Sequence, residues 1–200
     1  MDPVLEKIYE IKKEDIDSYA RHLMIGGGTR GGPVLIRGKG CWVEDIDGNK
    51  YIDCTSQSWA LYLGYANDEI NDIVYEHSRN LTHVHQGFDT LPRFTLAKKL
   101  AELAPEKLNR VSFTVGGGAA IEASMKIALK NRSGAQEFLS LYDAYHGSTL
   151  GSIGASWVST MAAGVFIGGA RFNRITKQFI RVPNPYCYRC PLGLEKKSCE

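Results

Sequence analysis

Long apolar runs are missing from this sequence. No stretch approaches the roughly 18 residues a helix needs to cross a bilayer, which argues against an integral membrane protein. The N-terminal stretch MDPVLEKIYEIKKEDIDSYARH lacks a long apolar core and is charged throughout, so neither a signal peptide nor a transit sequence is expected in it. The expectation is a soluble, cytoplasmic protein. Net charge is almost absent, since 24 Lys and Arg stand against 22 Asp and Glu, and nothing in that balance calls for a nucleic-acid partner. Cysteine is scarce. Five thiols, an odd number, suit reduced cysteines better than a disulfide framework. Cys187, Cys190 and Cys199 supply half of a zinc pattern, but zinc usually takes four ligands and no second Cys-x2-Cys pair follows, so no metal site is expected. Internal repeats and low-complexity tracts are absent as well. One local imbalance stands out: residues 171–200 hold seven Lys or Arg against two acids, which suits either a solvated basic loop or attraction of an anionic ligand.

What is present is an ordinary globular balance, 44% apolar and 23% charged over 200 residues, enough for one sizeable domain. Residues 2–21 are helix-rich in character. Gly26 to Pro33, with five glycines and a proline in eight positions, breaks regular structure. Val34 to Thr55 reads as a small antiparallel meander, with Asp47-Gly48 as the hairpin signal. Asn67-Asp68-Glu69 opens a helix carrying Ile70, Ile73 and Val74, and Pro92 sits near the start of another carrying Phe94, Leu96, Leu100 and Leu103. Between them, Leu81 to Thr90 is a polar loop with His83 and His85, suited to an active-site mouth or a subunit contact. Arg110 to Val115 reads as a strand, Ala119 to Lys130 as a helix and Glu137 to Leu141 as the next strand. The remainder is loop-rich. Helix, strand, helix, strand in succession implies an α/β fold whose parallel sheet has crossover helices.

The chemistry centres on Phe113-Thr-Val-Gly-Gly-Gly-Ala-Ala-Ile-Glu122. Three glycines between a strand and a helix leave free amides at a positive dipole end, and glycine lets an oxyanion approach closely. The spacing is neither the dinucleotide fingerprint nor a P-loop, because no Gly-Lys-Ser/Thr follows. A tight turn without a ligand accounts for it equally well. Further on, Asp143-Ala-Tyr-His-Gly-Ser-Thr-Leu150 ends the next strand. Ligands of open α/β sheets bind outside the carboxyl ends of strands, so an anion cradle beside a flat aromatic suits a phosphorylated aromatic cofactor. The plainer alternative makes Tyr145 a core aromatic and His146 a cap.

Together these segments resemble the class III aminotransferases, fold-type-I enzymes that use pyridoxal 5'-phosphate. Cys41 to Asp53 looks like that family's early hairpin, Leu63-Gly64-Tyr65 like its Leu-Gly-His step, and Tyr145-His146-Gly147 like its cofactor-stacking motif. The resemblance implies phosphate held at Gly117 and Gly118, Tyr145 over the pyridine ring with His146 beside it, and a substrate pocket near Trp59, for which core packing is the alternative. It also implies a homodimer acting on an amino donor and a 2-oxo acid. Residues 1–62 would form an N-terminal segment with the meander, and residues 63–200 the first part of the large cofactor domain.

The departures are specific. The family commonly has Asn-Ser-Gly-Ser/Thr-Glu-Ala where this chain has Val115-Gly-Gly-Gly-Ala-Ala120, so hydroxyls are missing at 116 and 118 and a glutamate at 119. Each absent hydroxyl removes a hydrogen bond worth about 1 kcal/mol. No lysine stands in the context of the family's Schiff-base lysine; Lys126 and Lys130 lie on the glycine-turn helix, and Lys177, Lys196 and Lys197 in the tail. No catalytic residue is therefore assigned, and the expectation is the N-terminal part of an aminotransferase. An amino-acid racemase of the same family, or a catalytically silent interaction fragment, are the alternatives.

Overall fold

The structure, a computed structural model, describes residues 2–23, 32–157, 178–195 and 199. The glycine run 26–31, the glycines at 164, 168 and 169, and Lys177, Lys196 and Lys197 lie outside the described residues. The chain divides into two compact units, residues 1–104 and 105–200.

In the first unit, α1 (Pro3–Tyr9) starts on Asp2, whose carboxylate accepts the Val4 amide at 2.8 Å, with Pro3 at the first helical position where its missing N–H costs nothing. A 3-10 turn at Lys13–Asp15 leads into α2 (Ile16–Ala20). The expected meander follows as β1 (Leu35–Lys39), β2 (Trp42–Asp45) and β3 (Lys50–Ile52), antiparallel in the order β1-β2-β3. Its β2–β3 turn is knotted by Asp45, which is 3% exposed. That carboxylate accepts the amides of Asp47 (3.0 Å) and Asn49 (2.8 Å), the Asn49 side chain (3.1 Å) and the Tyr51 hydroxyl (2.7 Å). Burial alone would raise its pKa; the hydrogen bonds from Tyr51 and Asn49 outweigh this and hold it below the usual aspartate range. The Leu63-Gly64-Tyr65 step docks back on the meander, with Gly40 and Tyr65 exchanging backbone hydrogen bonds of 3.0 and 2.8 Å. The Tyr65 ring lies against Gly38, where a Cβ would stand 2.7 Å from it.

Between these, α3 (Ser56–Trp59) is a left-handed turn, described below. The helix expected at Asn67 is α4 (Asp68–Asn80): Asn67 caps the Ile70 amide at 3.1 Å, and acids in the first turn with Arg79 in the last complement the dipole. The next, α5 (Leu91–Leu103), has Pro92 in its first turn. Neither helix buries a residue, and Ile73, Val74, Phe94 and Leu103 stay exposed.

In the second unit, α6 (Gly117–Asn131) precedes β4 (Phe138–Leu141), which pairs in parallel with β5 (Phe179–Val182). β5 emerges from a stretch that reads as loop in the sequence. Phe138 and Phe179 stack across the pair at 5.7 Å. The small core gathers at the carboxyl end of β4, where Ser140, Ser152, Ile153, Ala155 and Ser156 are buried. Arg181 on β5 closes it from below, donating to the Ser140 hydroxyl (2.7 Å) and to the carbonyls of Ala155 (2.6 Å) and Gly154. Arg110 to Val115, expected as a strand, has no ladder partner among the described residues, and Val115 is fully exposed. A β-prone run becomes a strand only when a neighbour satisfies its amides. Among the described residues no helix is long and apolar enough to cross a membrane, and no cluster of three or more His, Cys, Asp or Glu is placed to hold a metal.

Candidate functional site

The site builds up from the start of α6. Gly116 is its N-cap, in extended backbone, and the Gly116 carbonyl accepts the first intrahelical bond, from Ala120 at 3.0 Å. With glycine at the cap no side chain bonds back to the helix, and no acid stands in the first turn. Among the described residues no acceptor is hydrogen-bonded to the amides of Gly117, Gly118 and Ala119. The Cβ positions of Gly116 and Gly117 face open space. A bare, open helix start of this kind presents N–H donors and about half a positive charge to an anion.

The Tyr145-His146-Gly147 segment is packed against that start. Gly147 has φ +110°, and a Cβ on it would stand 2.6 Å from the Gly118 Cα and 3.1 Å from the Gly118 nitrogen. Only glycine permits so close an approach of two backbones. Ser156, fully buried, holds the segment from behind: its hydroxyl accepts the His146 amide at 2.8 Å and donates to the Gly147 carbonyl at 2.7 Å. His146 is half-buried, and Tyr145 keeps 54% of its surface exposed.

A second link joins helix and loop one turn further on. Glu122 accepts the Thr149 hydroxyl and the Gly151 amide (3.1 Å) on the same oxygen, Oε1. Thr149 and Ser152 hydroxyls are 2.8 Å apart, and since the Thr149 proton goes to Glu122, Ser152 is the donor between them. The Thr149 hydrogen bond is the main reason that the Glu122 carboxyl sits below its ordinary range; burial opposes it, and the Gly151 amide and Lys126 add to it.

Trp59 belongs to the first unit, on α3, and is 75% exposed. Ser56, Gln57, Ser58 and Trp59 all have positive φ, between +48° and +64°, without a glycine among them. Such residues cost roughly 1–2 kcal/mol each, so something must impose the turn. That anchor is Asp53, whose Oδ1 accepts the Thr55 amide and hydroxyl at 2.9 Å, and whose Oδ2 accepts the Gln57 amide (3.1 Å) and the Tyr65 hydroxyl (3.0 Å). The Thr55 amide bond leads in lowering the Asp53 pKa, against burial. His83 and His85 lie in the exposed loop before α5, where His85 Nδ1 accepts the Gly87 amide at 3.1 Å.

The family model for class-III aminotransferases matches residues 30–198. This chain belongs to the class-III aminotransferase family. Among its relatives in that family, the adenosylmethionine-8-amino-7-oxononanoate aminotransferase of Geobacter sulfurreducens is 32% identical over 166 residues, covering 80% of this chain and 35% of that protein. A mitochondrial acetylornithine aminotransferase of Alnus glutinosa is 34% identical over 151 residues, covering 72% and 33%. A taurine:2-oxoglutarate aminotransferase from Bifidobacterium kashiwanohense, solved in complex with PLP and glutamate, superposes with a TM-score of 0.76 at 28% identity, over 90% of this chain and 40% of that one. The chain thus spans between a third and two-fifths of the length of these aminotransferases, and the expected α/β architecture agrees with theirs. Class-III aminotransferases are pyridoxal-phosphate-dependent enzymes.

Of the residues picked from the sequence, Gly117, Gly118, Tyr145 and His146 all fall in the second unit, with Gly118 and the Tyr-His-Gly step in contact; Trp59 falls in the first. Glu122, Thr149, Ser152 and Ser156 escaped sequence reasoning. In the sequence Glu122 is simply one residue of the helix that follows the glycine turn. Its one distinguishing signal is its place a single turn past Gly118, on the same face.

Proposed function

We propose that this chain supplies one half of the cofactor seat of a pyridoxal 5'-phosphate-dependent aminotransferase, which moves an amino group between an amino acid or amine and a 2-oxo acid. The observation that carries this reading is the Gly118–Gly147 contact, because it brings a bare helix start and an exposed aromatic into one place. The residues present fit the group. The amides of Gly117, Gly118 and Ala119, which have no acceptor among the described residues, offer donors to a phosphate dianion, the open space before Gly116 and Gly117 admits it, and Tyr145 offers a flat face for a pyridine ring. When bound, the cofactor acts as an electron sink for bonds broken at the substrate's amino-bearing carbon.

This chain's own residues bind and orient. Gly117 and Gly118 hold the phosphate through main-chain amides, standing in for the hydroxyls the family carries at 116 and 118. Ser156 holds the backbone at His146 and Gly147, and with it the segment that carries Tyr145. Trp59, exposed on its strained turn, is in this reading a residue that contacts the substrate. In this reading residues 1–62 are the N-terminal segment and residues 63–200 open the cofactor domain, and the complete enzyme is a cytoplasmic homodimer. The relatives act on different amines, so the amine itself is left to experiment. The full-length protein, loaded with pyridoxal phosphate, should transfer amino groups from some members of a panel of α-amino acids and ω-amines to 2-oxoglutarate or pyruvate. Inversion of an enantiomer with retention of its nitrogen would instead mark a racemase, and failure to bind pyridoxal phosphate would defeat the reading.

A further inference from the structure

The glycine turn carries no capping side chain, no first-turn acid and no hydroxyl, so nothing within its own sequence fixes the loop that must meet it. What does fix it lies one helical turn later. Glu122 reaches across to Thr149 and to the Gly151 amide, 27 and 29 residues away in sequence, and places both on one oxygen. Thr149 in turn packs beneath Gly118, its side chain 2.9 Å from where a Cβ of residue 118 would be, and its hydroxyl accepts a hydrogen bond from buried Ser152. A Cβ at Gly151 would fall 2.8 Å from the Glu122 carboxyl carbon, so the carboxylate lies flat against the loop.

Resting on the proposed cofactor reading, we propose that Glu122 is a positioning residue that fastens the Tyr145–Ser152 loop to the start of α6, making the phosphate amides and the stacking ring a single rigid seat. It does not touch the phosphate. Its carboxylate is occupied by the Thr149 hydroxyl and the Gly151 amide, and the helix amides that face an anion lie a turn away. Removing it frees the loop, so that the two halves of the seat must be brought together again at each binding event, and affinity falls by the cost of that ordering.

The experiment uses the full-length protein and two readouts: equilibrium dissociation constants for pyridoxal phosphate, and hydrogen exchange at the amides of Gly147 to Ser152 without cofactor. Glu122→Ala should weaken pyridoxal phosphate binding about tenfold, the scale of one lost charge-assisted hydrogen bond, and speed exchange at Gly151 above all. Glu122→Gln keeps an oxygen acceptor for both donors and should restore affinity to within about threefold of the original protein. If Glu122→Ala does not fold, Thr149→Val decides, since it removes the donor while keeping the shape; it should lose affinity by a similar factor. Unchanged affinity and unchanged Gly151 exchange in both variants would overturn the inference. Should the unaltered protein fail to bind pyridoxal phosphate at all, the functional reading falls, and the exchange measurement still judges the clamp by itself.

Discussion

Gly147→Ala is the sharpest perturbation available in the second unit, because two separable penalties meet at one atom. The first is conformational: φ is +110°, where an L side chain costs roughly 1–2 kcal/mol. The second is steric. The new Cβ would stand 2.6 Å from the Gly118 Cα and 2.8 Å from the Ser152 hydroxyl, whereas carbon atoms rest at about 3.5–4.0 Å, so helix start and loop must part by about 1 Å. Overpacking of that size typically costs about 1–3 kcal/mol, which brings the total to about 2–5 kcal/mol. Gly134→Ala supplies the control within the same unit. Gly134 also has positive φ, +83°, but its Cβ position faces open space, so only the conformational penalty applies. Chemical denaturation of the two variants of the full-length protein should therefore differ by about 1–3 kcal/mol, with Gly147→Ala the weaker. Pyridoxal phosphate affinity should fall in Gly147→Ala and hold in Gly134→Ala, because only the former separates the two halves of the seat. Equal destabilisation by the two substitutions would refute the packing argument, and undiminished cofactor affinity in Gly147→Ala would refute the seat.

Other outcomes are open to test. Glu122 has a pKa lowered on folding, so its contribution to stability is complete above the usual glutamate value of about 4.3 and drains away as pH falls through the depressed value. Glu122→Gln should accordingly flatten the acid side of the stability profile, seen as a smaller loss of Tm between pH 5 and pH 3 (roughly the glutamate titration range). Asp53→Ala removes a carboxylate that five donors share, and should release the left-handed turn, read as faster proteolysis between Thr55 and Leu61 with the meander still protected. Trp59→Ala should leave Tm almost unchanged, since the ring is 75% exposed, yet shift the ratio of kcat/KM between small and bulky amines toward the bulky ones. An unaltered ratio removes Trp59 from the pocket.

Much of the fold was legible because its signals are local. Asp47-Gly48 announces the β2–β3 turn, Asn67 announces α4, and Pro92 sits in the first turn of α5; all three act within a few residues of themselves. The glycine turn was legible for the same reason. Illegible features depend on distant partners. Arg110 to Val115 has strand composition but no described neighbour, whereas Phe179–Val182 is hidden in a basic tail and becomes a strand because β4 accepts it. The left-handed turn at Ser56–Trp59 contains none of the glycine or asparagine that would signal it; Asp53 and Tyr65, one on either side, impose it. Glu122 likewise acquires its place only when residues 27 and 29 positions away fold back onto it.

The Asp45 knot has a kinetic corollary. All its donors lie within six residues, so the meander closes through short loops, on the microsecond scale of hairpins. The β4–β5 pair, by contrast, joins Phe138 to Phe179 across 41 residues, and the seat at Gly118 awaits a loop that starts beyond β4. The first unit's sheet is therefore expected to form early and the proposed anion seat late. A phosphate that binds only the closed seat adds RT ln(1 + [L]/Kd) to the last step, about 2.7 kcal/mol at a hundredfold excess over Kd. Cofactor supply during synthesis would then set how much of the chain reaches its finished form, and depleting vitamin B6 should lower the protein's abundance before it lowers the activity of each folded molecule.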